Sequence, residues 1–228
     1  MPSYRVTEPT VSLSRFDIIG QDGVELRFVA HVGLADVAGP SSSVAVPVCE
    51  MGPPLRGSNA SRQLQCNVLG SATLTNSEIQ KIKTFIDRHA NEHASFLQVS
   101  RSQLVQAVPE IYCIIPHASP FREIDGRYTR TRFSCAGFVF EAYKKARITL
   151  IDVNNMPSVD MAVIASAYPL QVRLIESGRV SREALGLEGE GPWRVLLCGY
   201  LLHSLDRRAA DVRQQAYSPV SMDRVFPK

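Results

Sequence analysis

Between Leu26 and Val37, apolar residues recur with a period of two. Leu26, Phe28, Ala30, Val32 and Leu34 share one face, and Arg27, Val29, His31, Gly33 and Ala35 the other. This is the pattern of a strand with one face on a core. The wholly apolar face should meet that core, so His31 projects from the opposite one. Two further runs flank it, Phe16 to Ile19 and Val44 to Met51. In the second, Val44, Val46, Val48 and Glu50 share a face. Pro47 cannot donate to a ladder and predicts an edge strand or a bulge there. Gly39 to Ser43 predicts a turn, Pro53 and Pro54 a stop, and Gln63 to Leu69 a fourth strand.

The period then changes. Thr75 or Asn76 can cap a helix running to about His93, with Ile79, Ile82, Ile86 and His93 on one stripe and Phe85 and His89 beside it. A shorter helix from about Ser100 to Ala107 should stop before Pro109. Glu110 to Arg132, interrupted by Pro116, Pro120 and Gly126, reads as loop. Ser134 to Ala146 reads as helix, with Phe138, Val139, Ala142, Tyr143 and Ala146 as its apolar side. Beyond Asp152 the pattern weakens: Asp160 to Gly178 and Trp193 to Asp206 read as ordered without a definite type, and Ser218 to Lys228 as an extended tail. No linker interrupts the chain. The expectation is a single domain over residues 1–228, with an extension from about 152, of the α+β class: a small antiparallel sheet or open barrel packed against helices.

Composition narrows the partners. The chain has 228 residues, 45% hydrophobic and 21% charged, which is globular and excludes a mainly disordered protein. A net charge of +3 gives little electrostatic reason to expect a nucleic acid. No stretch approaches the roughly 18 apolar residues of a membrane span; the longest candidate, Met161 to Val172, contains Pro169. Met1 to Asp17 lacks the apolar segment of a secretory leader. The five irregularly spaced cysteines therefore read as reduced thiols. A cytoplasmic location is expected, with delivery elsewhere without a signal peptide left open. Nothing in the pattern sets the oligomeric state.

The sharpest chemical feature is Phe133-Ser134-Cys135-Ala136-Gly137-Phe138-Val139, where a cysteine stands at the passage from loop to helix. The first turn of a helix offers unpaired N–H groups and a positive dipole end, and both favour a thiolate. From Arg122 to Arg147, seven basic residues face three acidic ones. A nucleophilic cysteine needs an imidazole base. His31, on its strand with Gly33 leaving room beside it, is the best placed. Glu50 could orient that imidazole if the neighbouring strand has the right register. A packed cysteine, a structural histidine and a solvated carboxylate are the plain alternatives for the three.

These residues carry a resemblance. Ser134-Cys135-Ala136-Gly137-Phe138-Val139, followed by Glu141-Ala142-Tyr143-Lys144-Lys145-Ala146, resembles the cysteine box of NlpC-like papain-fold peptidases. Phe16-Asp17-Ile18-Ile19 is similar to the family's Gly-Asp strand, His31-Val32-Gly33-Leu34 to its His-Val-Gly strand, and Cys49-Glu50-Met51-Gly52-Pro53 to a Glu-bearing segment after it. The strands precede the cysteine helix, which is the order of the circularly permuted branch, including YiiX-type bacterial proteins and lecithin:retinol acyltransferase-like enzymes. The match covers Phe16 to Ile148. Phe16 and Arg147 stand where the family has glycine, and Ser134 and Ala136 replace the usual neighbours of the cysteine. The resemblance implies a permuted papain-like fold and a thiol hydrolase, a cysteine peptidase or amidase. Cys135 would be the nucleophile, His31 the base and Glu50 its orienting acid, with no cofactor. The substrate would be an amide or ester in a peptide, a peptidoglycan fragment or a lipid. An acyltransferase using the same thioester and a non-catalytic binding module are the alternatives.

Four other histidines compete. His89-Ala90-Asn91-Glu92-His93 fits H-x-x-E-H, a zinc pattern, but its histidines continue an apolar helix side and no third ligand is identifiable, so no metal is expected. His203 sits in Leu-Leu-His-Ser-Leu without a His-Val-Gly context and reads as structural. His117 lies in the loop before the cysteine helix, without a role of its own.

Overall fold

The computed structural model describes residues 16–22, 29–36, 45–57, 62–65, 67–70, 72–100, 104–122 and 129–224. Leu26, Phe28, the Gly39–Ser43 turn, Val44, Cys66, Gly126 and the last four residues lie outside them. The fold is mixed α+β, with a small antiparallel sheet packed against helices.

The N-terminal runs form β1 (Ile18–Asp22), β2 (Val29–Ala35), β3 (Ala45–Met51), β4 (Leu55–Arg56), β5 (Arg62–Gln65) and β6 (Asn67–Gly70). The strand order is β4-β3-β2-β1-β6, with β5 also on β3, and every pairing is antiparallel. Pro47 corrects the expectation of an edge, because β3 is an inner strand. Its carbonyl accepts the Asp36 N–H at 2.8 Å on the β2 side. In a strand the N–H and C=O of one residue point the same way. The missing donor therefore faces Asp36, one residue past the end of the β2 ladder at Ala35, where it interrupts no pairing within the strands.

α1 (Asn76–Ser100) runs beyond the expected end near His93. Thr75 is its cap: the Thr75 N–H donates to Glu78 Oε2 at 2.8 Å and the Glu78 N–H returns to Thr75 Oγ1 at 3.4 Å. α2 (Leu104–Ile111) contains Pro109 rather than stopping before it. The proline falls in the final turn, where it forfeits one backbone bond, and its carbonyl accepts from Arg132 Nη1 at 3.1 Å.

The segment read as loop holds a hairpin, β7 (Ala118–Arg122) with β8 (Thr129–Phe133). Alternation hid β8 because its inward residue is a cation. Arg130 is 1% exposed, stacked 3.8 Å over the Phe96 ring and paired with Glu110 at 3.1 Å.

α3 (Cys135–Lys145) lies at the centre. Residues Cys135 to Phe140, Ala142 and Tyr143 are all buried, against β2, β3, α1 and residues of the C-terminal part. Each fully buried large apolar side chain contributes about 1.5–3 kcal/mol, so this helix anchors the core. Ser134 Oγ accepts the Gly137 N–H at 2.9 Å and starts it. At its end the Ile148 N–H reaches Tyr143 O at 3.1 Å and the Arg147 N–H reaches Lys144 O at 2.9 Å. This is a Schellman closure, with Arg147 left-handed at φ 64°.

The segments without a definite type are helical. α4 (Met161–Ala167) and α5 (Pro169–Glu176) follow β9 (Ser158–Val159). β10 (Trp193–Arg194) pairs with β9, and α6 (Cys198–Leu205) and α7 (Ala209–Gln214) complete the chain. Ser221–Arg224 forms a single 3-10 turn within the expected extended tail. Asp223 pins it, accepting Tyr217 Oη–H and the Val220 N–H at 2.7 Å each. No helix among the described residues is long and apolar enough to cross a membrane.

Candidate active site

The register of two strands and the start of one helix build the site. Gly33 of β2 stands opposite Glu50 of β3. His31 and Gly33 share a face, so His31 is the diagonal neighbour of Glu50. His31 Nε2 meets Glu50 Oε2 at 2.8 Å. The close approach of the strands requires a glycine: a Cβ on Gly33 would stand 2.8 Å from Val48 Cγ1 and 2.9 Å from Cys49 O. Glu50 is wholly buried, and Arg56 Nη1 of β4 reaches its other oxygen at 3.4 Å. Nε2 is committed to Glu50, so Nδ1 is the nitrogen left for Cys135, with which His31 shares a hydrogen bond.

Cys135, first residue of α3, sits over β2. Its sulfur accepts the Val32 N–H and lies 3.5 Å from the sulfur of Cys198, the first residue of α6. The Cys198 thiol, opposed by burial and aided by the hydrogen bond and charge of His31, holds the Cys135 pKa well below that of an ordinary thiol. Cys198 moves the other way, pushed up by Cys135 and by burial. Two negative charges 3.5 Å apart would repel by about 5 kcal/mol at an effective dielectric of 20, so only one sulfur ionises. Cys135 takes the charge because the imidazole and the Val32 N–H are aimed at it. Burial works against a charge on His31, but the hydrogen bonds and charges of Cys135 and Glu50 outweigh it and raise its pKa to about 10. The resting pair is a thiolate beside an imidazolium held by a carboxylate.

Gly137 N–H goes to Ser134 Oγ and Phe138 N–H to Ser134 O, while helix geometry gives the N–H groups of Cys135 and Ala136 no intrahelical acceptor. The loop before β7 closes on this first turn. A Cβ on Gly137 would come within 2.1 Å of the His117 carbonyl oxygen. Two buried tyrosines stand nearby, Tyr112 and Tyr168. Burial raises both phenols, and the Cys135 charge raises them further. Tyr168 Oη–H donates to Leu196 O at 2.6 Å.

The structure thus brings Cys135, His31 and Glu50 together. It also adds Cys198 and the two tyrosines, which sequence reasoning missed. The one local signal for Cys198 was a cysteine following the apolar run Val195-Leu196-Leu197, the same loop-to-helix passage seen at Cys135. The remaining histidines serve the scaffold. His93 Nδ1 accepts the Leu55 N–H at 3.1 Å and its Nε2 donates to Thr131 O at 2.8 Å, so both ring nitrogens are committed to backbone. His89 Nδ1 meets Glu92 at 2.8 Å. His203 Nδ1 faces Asp223 at 3.8 Å. Burial pulls the His117 pKa down to about 4. No known family model, characterised protein or solved structure matches the chain.

Proposed function

We propose that this protein is a thiol hydrolase, of the cysteine peptidase or amidase kind, on a circularly permuted papain-like fold. The observation that carries the reading is the line Glu50–His31–Cys135, with the sulfur at a helix start and its thiol pKa depressed.

The chemistry follows from the resting charges. The Cys135 thiolate attacks an amide or ester carbonyl. The N–H groups of Cys135 and Ala136, which lack intrahelical acceptors, would donate to the oxygen that becomes negative. The proton on His31 Nδ1 passes to the departing amine or alkoxide, leaving a thioester. His31, now neutral, takes a proton from water, whose oxygen attacks the thioester and releases the acid. Glu50 fixes the ring orientation and stabilises the imidazolium in both halves. No cofactor is needed for these steps.

Two backbone features favour the permuted papain-like reading of the fold. Phe16 and Arg147 stand where the resembling family has glycine, and both have positive φ, at 64° each. That is the left-handed region glycine enters at least cost. The chain keeps these turns without the glycines. Phe16 offsets the strain through burial and through its carbonyl, which accepts Tyr143 Oη–H at 3.0 Å.

The test is a panel of acyl donors (peptide amides, peptidoglycan fragments and lipid esters) read by intact mass. A donor that leaves an acyl adduct mapping to Cys135 is the expected result. Diversion of that acyl group to an added alcohol or amine, in preference to water, would make the protein an acyltransferase. Absence of any adduct, with Cys135 alkylated at pH 6 no faster than the other cysteines, would overturn the reading in favour of a binding module.

A further inference from the structure

Cys198 has no part in the hydrolytic steps, yet it touches the sulfur that performs them. The four described cysteines are all buried thiols. Cys113 donates to the Pro116 carbonyl at 2.8 Å, and burial pushes its pKa up to about 12. Cys49 lies within the sheet on β3. Cys135 and Cys198 meet, sulfur to sulfur at 3.5 Å, although 63 positions separate them in the chain. Each is the first residue of its helix, and α3 packs on α6. The pair is thus held by two rigid elements rather than by loops. A disulfide needs the sulfurs about 1.5 Å closer.

We infer that Cys135 and Cys198 form a reversible dithiol–disulfide couple, with Cys135 the sulfur that meets a hydroperoxide and Cys198 the one that resolves it. The thiolate sulfur of Cys135 attacks the terminal oxygen of the hydroperoxide. The O–O bond breaks, the proton on His31 goes to the leaving alkoxide or hydroxide, and Cys135 becomes a sulfenic acid. The Cys198 thiol gives its proton to the neutral His31 and its sulfur attacks the Cys135 sulfur. The S–O bond breaks, and hydroxide leaves as water with the proton from His31. Two thiols and one hydroperoxide give one disulfide, one alcohol or water, and one water. Two electrons pass from sulfur to the peroxide. A dithiol reductant reverses the bond by exchange. Division of labour between the sulfurs follows from their surroundings: the one beside the imidazole is ionised and reacts, while its neighbour keeps its proton until the sulfenic acid forms.

The consequence for catalysis rests on the hydrolase reading. A disulfide removes the nucleophile, so the oxidised protein would be silent until reduced, and Cys135 would be shielded from irreversible oxidation. The couple itself does not depend on that reading, because it is read by mass.

The experiment exposes the full chain to one equivalent of hydrogen peroxide and digests it without reduction. The expected product is a Cys135–Cys198 cross-linked peptide, lighter by two hydrogens than its two parts. Cys135 alkylation should be lost, then recovered with dithiothreitol. In Cys198→Ser, one equivalent should leave Cys135 as a sulfenic acid that dimedone traps, with no cross-link, and a second equivalent should take it to sulfinic acid, without recovery. Cys113→Ser should keep the wild-type cross-link. Sulfinic acid at Cys135 in the wild type, a cross-link to any other cysteine, or unoxidised sulfurs would each overturn the couple. A cross-link in a protein that forms no acyl adduct would leave the couple standing and remove the hydrolase.

Discussion

His31 and His93 are both shielded imidazoles, and burial lowers the pKa of each. They finish at opposite ends of the scale, about 10 for His31 and about 4 for His93. The difference lies in their partners. His31, in the sheet, stands between a buried carboxylate and a thiolate, and both reward a proton. His93, between α1, β4 and β8, stands between one backbone donor and one backbone acceptor. Leu55 N–H requires a bare Nδ1 and Thr131 O requires a protonated Nε2, so the neutral ring fits both and a second proton breaks one bond. Burial sets the stakes, and the sign of the neighbours decides the charge. One imidazole is tied to two ionisable side chains, and the other holds a helix to two strands.

The largest expected effect is at His31. His31→Ala should slow acyl-adduct formation by about 10²–10⁴ and move the pH profile of Cys135 alkylation towards that of an ordinary thiol, with little change in melting temperature. Glu50→Gln should do less, because the base remains. An alkylation profile unmoved in His31→Ala would break the contrast with His93. Next is His93→Ala, which strands two buried backbone groups at about 1–3 kcal/mol each. It should lower the urea midpoint while leaving Cys135 alkylation in the folded protein unchanged.

The pH dependence sharpens the same contrast. The folded pKa of His93 lies below the ordinary 6.5, so the unfolded chain takes the proton first. That contribution is fully present above 6.5 and is lost as pH falls towards about 4. Urea midpoints should therefore fall more steeply in wild type than in His93→Ala over this range. The site behaves differently. A raised His31 contributes stability below 6.5 that is lost as pH rises through about 10. A depressed Cys135 contributes stability above 9.0 that is lost as pH falls. Between 6.5 and 9.0 the pair holds one proton in either state of the chain, so it adds no slope there. Wild type minus the double variant His31→Ala/Cys135→Ser, which removes the pair, should be flat across that window when measured as midpoint against pH.

Smaller changes probe the frame around the site. Gly33→Ala should cost about 1–3 kcal/mol by pressing on Val48 and the Cys49 carbonyl, and should slow Cys135 alkylation by parting His31 from Glu50. Unchanged alkylation there would deny the strand register its role. Arg147→Gly, at the other end of α3 from Cys135, should raise stability by about 0.5–1 kcal/mol by relieving the left-handed backbone, with no effect on Cys135.

The histidine contrast also marks how far the sequence could be read. Both residues were visible as side chains on regular elements, His31 by strand alternation and His93 by helical spacing. Neither partner of His93 could be read, because one is a backbone amide in β4 and the other a carbonyl in β8, a strand whose buried face carries Arg130 and so mimics a loop. His31 fared better, because Glu50 and Cys135 are chemically distinctive and sit at a strand end and a helix start that the local pattern reveals.

By itself the sequence determined what short-range physics controls. It gave the face from which His31 projects, the helix that Ser134 caps and Cys135 begins, and the capped start of α1. These depend on alternation, helical spacing and hydrogen bonds spanning three or four residues. Only the tertiary structure decided that Gly33 stands opposite Glu50, that Pro47 lies in an inner strand, and that Cys198 meets Cys135. Each of these depends on segments far apart in the chain. Their meeting is fixed by which surfaces bury together, and no local period records that.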